Sequence, residues 1–270
     1  MPAPVSSGKN RRDLTMTDAV LKRPALLDVV PHDAVASINK IIKGVGAVIS
    51  ALVPDGKIGD FKQGATGDCF VLSALNATAQ TAEGRRTINE SITYAKGSYA
   101  IQFKGDPTHT VYNVTGQEIS EAASSGKIST GDADVQAFEL AVSHYMQSRG
   151  GDIQGGNSGA MLELLTGKKV ESTEATSRAE NETIIHEAAS KPGGFTLVLG
   201  SGVVRSPGPM HGQPVSRDDP LSGPGRHAFT VTSIDEKSRT VILENPWDTS
   251  QPYRISIDKL ASMGRLFYIP

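Results

Sequence analysis

Cys69 is the only cysteine in the 270-residue chain, and its surroundings mark it more than its rarity does. A lone cysteine is ordinarily a small buried hydrophobe. Here QGATGDCF (63–70) brings it through a glycine-broken turn into the first turn of an apolar helix, CFVLSALNATAQ. Backbone N–H groups and the helix dipole at that end favour negative charge. They are expected to stabilise the thiolate and lower its pKa from the free-cysteine value of about 8.5. Gln63 lies a short loop before the thiol, close enough for its side-chain amide to fold back beside the sulfur. That N–H and the backbone N–H of Cys69 are candidate oxyanion donors, a kind whose loss costs roughly 100- to 1,000-fold in rate. Gly67 and Asp68, between them, are candidate substrate-binding or supporting residues.

Two distant segments carry the other groups a nucleophilic thiol needs. In GRHAFTV (225–231), His227 opens a β-prone run, and a rigid strand end can aim an imidazole across a cleft. In LENPWD (243–248), Asn245 ends the next such run and is followed by Pro-Trp. If the two runs pair as a hairpin, the Asn245 carbonyl accepts from one imidazole N–H and fixes the tautomer that faces the sulfur. Trp247 then covers that bond against water. Singly, His227 reads as a strand-end histidine and Asn245 as a turn residue; together with Cys69 they spell a Cys-His-Asn triad. His32, His109, His144, His186 and His211 lack matching surroundings and read as solvent, core or loop residues.

The elements that must position these groups follow from periodicity. Residues 1–35 carry Pro2, Pro4, Pro24 and Pro31 with basic pairs and no sustained period, which predicts a flexible N-terminal arm. From 36 to 57, Ile38, Ile41, Ile42, Val45, Val48, Ile49 and Leu52 predict an amphipathic helix packing on the domain. SYAIQF (98–103) and HTVYNV (109–114) predict an antiparallel hairpin, DADVQAFELAVSHYMQSR (132–149) a helix capped by Asp132 or Asp134, and residues 160–165 a short helix ending at Gly167. FTLVLG (195–200), HAFTVTSI (227–234), TVILEN (240–245) and YRISI (253–257) read as antiparallel strands. The long Gly/Pro/Ser-rich connection over 200–226 reads as a lid, a binding loop or a flexible insert, and beside His227 it is a candidate substrate gate.

Composition narrows the class. Apolar residues make up 38% and charged residues 21%, with a net charge of -2, a balance of neither a disordered chain nor a basic nucleic-acid binder. A single cysteine precludes an internal disulfide and a thiol-rich zinc site. The N-terminus lacks the pattern of a Sec signal, and no apolar run approaches the roughly 18–20 residues of a membrane span. The expectation is a soluble monomer, cytoplasmic or exported without a cleaved signal.

QGATGDCF resembles the cysteine block of calpains, GRHAFTV their histidine block and ENPWD their Asn-Pro-Trp block, in the same order along the chain. SYAIQFKG with HTVYNV is similar to the family's early hairpin, and VQAFELAVSHYM with AMLELLTGKKV to the helix and Leu-Thr-Gly turn before its second lobe. The resemblance covers about residues 58–270. It implies an α+β, papain-like two-lobed cysteine protease core: an α-rich lobe over 58–170 carrying Cys69, and a β-rich lobe over 171–270 carrying His227 and Asn245. It also implies an endopeptidase acting on protein or peptide through a thioester, and, in a core without accessory domains, a bacterial effector. Phe70 and Arg226 stand where the family has Trp and a small or apolar residue. Asp60 matches one family calcium-ligand position, whereas Asp248, Thr249, Ser250 and Gln251 do not supply the family's acidic cluster, so no cofactor or obligate calcium is expected. The same triad serves deamidases, transglutaminases and acyltransferases, and a degenerate core would serve as a protein-binding module.

Overall fold

Helix α1 (Cys69–Ala79) is the centre of the arrangement, and its sequence explains why: every residue from Phe70 to Ala79 is buried, as an apolar surface on all sides requires. The computed structural model describes residues 57–174, 177–201 and 227–270, all within one compact unit. The expected arm over 1–35, the expected helix up to residue 56 and the connection over 202–226 lie outside the described residues.

The remaining helices are α2 (Ala82–Ser91), α3 (Gly116–Ser124), α4 (Ala133–Gln147), α5 (Ser158–Thr166), α6 (Arg178–Ser190) and α7 (Ile257–Met263). Their starts show the side-chain capping that the sequence offers. Asp132 accepts from the N–H groups of Asp134 and Val135 to open α4, and Asn157 accepts from Ala160 to open α5. Helix α5 ends where Gly167 takes a left-handed conformation (φ 68°) and its N–H returns to the Glu163 carbonyl.

Strands β1 (Ile92–Ala95), β2 (Ser98–Gln102) and β3 (Val111–Thr115) form a small antiparallel sheet in that order. The hairpin predicted over 98–114 is its β2–β3 pair. Strands β4 (Glu171–Ser172), β5 (Thr196–Ser201), β6 (His227–Asp235), β7 (Thr240–Asn245), β8 (Asp248–Ser256) and β9 (Gly264–Ile269) form a second antiparallel sheet, ordered β4-β9-β5-β6-β7-β8. Among the described residues the protein is therefore α+β, with seven helices and two antiparallel sheets.

Alternation along the larger sheet divides its faces between two cores. Val198 and Ala228 join a cluster built on α1, α4, α5 and the smaller sheet, centred on Leu72, Leu75, Ile101, Phe103, Phe138 and Leu162. Leu197, Leu199, Phe229, Val231, Val241 and Leu243 face the other way, under Ile184, Ile185 and Ala188 of α6 and Leu260 of α7. Thr230, on the same face as Ala228, donates to the Ser73 carbonyl at 3.0 Å and fixes β6 along α1. That seam brings the cysteine helix and the histidine strand together.

Candidate active site

Helix α1 begins at Cys69, with Asp68 at the N-cap position. An aspartate there usually accepts from the next backbone N–H groups. Asp68 does not: its side chain makes no cap bond, and turns instead to Gln63 and Glu139. Its backbone carbonyl takes the N–H groups of Val71 and Leu72, so those of Cys69 and Phe70 are left at the open end of the helix. The N–H of Ala228 on β6, and then these two, lie where they favour the Cys69 anion.

Burial outweighs them. Desolvation pushes the Cys69 thiol up to about 11, and the neighbouring Asp68 carboxyl adds to the rise when it is ionised. The direction is opposite to the one helix position favours, although Cys69 itself is half-buried between α1 and β6. His227 moves the opposite way for the same reason: burial lowers it to about 4, against a smaller upward pull from Asn245. At neutral pH the resting state is a thiol and a neutral imidazole.

His227 opens β6 and Asn245 closes β7, the antiparallel neighbour, as the sequence predicts. His227 Nε2 lies 2.8 Å from Asn245 Oδ1. The backbone N–H of Trp247 donates to that same oxygen at 3.0 Å, which identifies it as the amide carbonyl. Nε2 therefore carries the proton and Nδ1 the lone pair. The β7–β8 register is irregular between Leu243 and Asn245, so Asn245 pairs with Asp248 at the very end of the ladder, beside the Pro246–Trp247 turn. Trp247 lies against the imidazole at 4.4 Å between ring centroids, and Phe229 meets it edge-on at 4.8 Å. Asn245 is 2% exposed and His227 5%.

Gln63 departs from expectation. Its Nε2 donates to the Thr66 carbonyl and to Asp68 Oδ1, both at 2.8 Å, so both amide hydrogens serve the loop. The physical reason is the buried Asp68 carboxyl, whose Oδ1 needs a donor and lies within reach of the Gln63 amide. The Gln63 backbone N–H donates to the Pro246 carbonyl at 2.7 Å and ties this loop to the Asn-Pro-Trp turn. Gly67 is pinned to the 154–155 loop, its N–H on Gln154 Oε1 and its carbonyl taking the Gly155 N–H. Asp60 is exposed, and among the described residues no three His, Cys, Asp or Glu side chains gather as a metal site. No helix among them is long and apolar enough to cross a membrane.

Two participants escape sequence reasoning. Ala228 contributes only its backbone, which no residue type signals. Glu139 is 1% exposed and does leave a signal: it is a carboxylate on the apolar face of ADVQAFELAV. His144 pairs with Glu118 and His186 with Glu236.

No protein-family model matches the chain, and no curated protein matches it.

Proposed function

We propose that the chain is a calpain-like, papain-fold cysteine endopeptidase. The observation that carries this reading is a single constellation: the His227–Asn245 bond at the head of β6, one residue from Ala228, whose backbone N–H favours the Cys69 anion. Asn245 occupies Nε2 and leaves His227 Nδ1 as the base that takes the thiol proton as Sγ attacks a peptide carbonyl. The carbonyl oxygen takes the charge, facing the open N–H groups at the start of α1. Collapse of the tetrahedral intermediate breaks the C–N bond while His227 returns the proton to the leaving amine. Water, deprotonated by the same imidazole, then hydrolyses the thioester.

Starting from a neutral pair, Cys69 becomes a thiolate only as its proton leaves for His227. In this reading Asn245 and Trp247 are positioning residues. The bacterial-effector role rests on the calpain resemblance alone.

The test is intact-mass and peptide mapping of casein after incubation with the wild type and with Cys69→Ala, in calcium and in chelator. Cleavage by the wild type alone supports the endopeptidase. A deamidation mass change or a crosslink on casein reassigns the site to a transferase or deamidase, and equal cleavage by both proteins removes Cys69 from the chemistry.

A further inference from the structure

Next to Cys69, two carboxyl groups are buried together. Asp68 is 0% exposed and Glu139, one helix away on α4, is 1% exposed, and the two side chains are hydrogen-bonded to each other. Carboxylates in contact cannot both be ionised, so the pair holds a proton between them. Their other partners are neutral donors. Glu139 Oε2 accepts from the Ser129 N–H at 2.9 Å and from the Ser129 hydroxyl at 2.6 Å. Asp68 Oδ1 accepts from Gln63, and its buried Oδ2 meets no donor.

The donor arrangement locates the proton. Glu139 is provisioned as the ionised member, with two hydrogens already on one oxygen. Asp68 Oδ2 is the atom with none, so it bears the O–H and donates it to Glu139. Burial, and then the neighbouring Glu139 charge, raise Asp68 well above the usual carboxylate range. Burial also raises Glu139, against the hydrogen bonds from Asp68 and Ser129. The titratable groups facing Asp68 are Cys69 on α1 and Glu139 on α4; the Gln63 loop brings an amide.

We propose that Asp68 and Glu139 act as a proton-sharing pair that places its single negative charge on Glu139 and leaves the residue beside Cys69 neutral. This rests on the reading of Cys69 as a nucleophile. A charged Asp68 would oppose the thiolate from the adjacent position, where its charge raises the thiol pKa. Moving the charge one side chain away relieves the sulfur while Asp68 continues to hold Gln63. It also explains why an aspartate at the N-cap position leaves the helix N–H groups uncapped: its carboxyl is committed to this pair.

The experiment measures the rate at which iodoacetamide alkylates Cys69 at pH 8, followed by intact mass, in the full chain. In Glu139→Gln the Ser129 donors hold the amide oxygen and turn the NH2 to Asp68, so the charge settles on Asp68. The rate is expected to fall about tenfold, the equivalent of roughly one pH unit in the thiol. The double variant Asp68→Asn with Glu139→Gln has no charge in the pair and is expected to recover the rate to the wild-type value or above. A merely structural role predicts the reverse, since two substitutions disturb packing more than one. If Glu139→Gln melts below the assay temperature, Ser129→Ala removes one donor from Glu139 and is expected to slow alkylation about threefold. An unchanged rate in Glu139→Gln, or a double variant slower than the single, overturns the proposal. Alkylation needs no substrate, so the result stands apart from casein cleavage: loss of rescue defeats the pair, and loss of cleavage with rescue intact defeats the endopeptidase reading.

Discussion

Asn245 Oδ1 accepts twice, from His227 Nε2 at 2.8 Å and from the Trp247 backbone N–H at 3.0 Å. One oxygen thereby fixes both the tautomer of the histidine and the turn that carries the tryptophan over it. The loop before Cys69 meets the same turn through Gln63 N–H and the Pro246 carbonyl, so residues far apart in the chain are held by one short bend. Thr249 extends the junction: its hydroxyl accepts from Phe61 N–H at 3.0 Å.

Asn245→Ala is expected to leave the imidazole free to rotate and to change tautomer. Orientation and general-base catalysis fail together, so kcat should drop on the order of 100-fold while KM changes little. Two buried donors also lose their acceptor, which costs about 2 kcal/mol or more of stability. Steady-state kinetics on casein-derived peptides and a denaturant melt read the two effects separately. A variant with wild-type kcat would remove Asn245 from the mechanism.

His227 also makes folding depend on pH in a defined direction. Its folded pKa, about 4, lies below its unfolded value of about 6.5, so between them the unfolded chain binds more protons than the folded one. The stabilisation is complete above about pH 6.5 and is lost as pH falls to about 4, a change of up to about 3 kcal/mol. Other carboxyl groups titrate in the same range, so the relevant measurement is a difference. Urea unfolding of wild type and His227→Gln should converge by about that amount from pH 7.5 to pH 4. Parallel curves would count against a desolvated, neutral histidine.

The sequence marks the candidate site more plainly than it marks several of the elements around it. Cys69, His227 and Asn245 stand at the ends of strongly patterned segments, and an element's end is where a side chain can be aimed, so pattern alone marks their positions. Helices α2, α6 and α7 have no comparable signal: AEGRRTINES and RAENETIIHEAAS carry few apolar residues, and the capping hydroxyls of Thr81 and Ser177 are the better sign in both. Strand β9 is equally hard to read, although it lies beside β5, because GRLFYI is apolar on both faces and gives no alternation. What no local pattern carries is the electrostatics of the thiol. Its high pKa follows from packing between α1 and β6, and the orientation of Asp68 from a glutamate far along the chain.

Gly64 is expected to be irreplaceable by alanine. A Cβ there would lie 2.4 Å from the carbonyl oxygens of both Lys127 and Ile128, backbone atoms that cannot turn aside. The loop would have to shift, moving Gln63 away from Pro246 and Asp68. Gly64→Ala should therefore lose activity at least tenfold, with thermal stability lowered by several degrees. Gly97→Ala provides the contrast: its Cβ meets nothing within 4 Å, and only the strain of φ +80° remains, far from Cys69. That variant should lose stability of about 1 kcal/mol and retain turnover.

Trp247 is half-buried and lies against the imidazole at 4.4 Å, so its removal acts on the histidine's surroundings more than on the fold. With alanine there, water reaches the His227–Asn245 bond and competes for Asn245 Oδ1, and the desolvation that lowers the histidine is relieved. Trp247→Ala is expected to raise the His227 pKa from about 4 toward its ordinary value and to reduce kcat roughly tenfold. The acid limb of kcat/KM should move up in pH accordingly, while Trp247→Phe, which keeps a ring over the imidazole, should leave the limb close to its wild-type position. An unmoved acid limb in Trp247→Ala would show that the desolvation of His227 comes from Phe229 and the surrounding strands, with the indole only a cover.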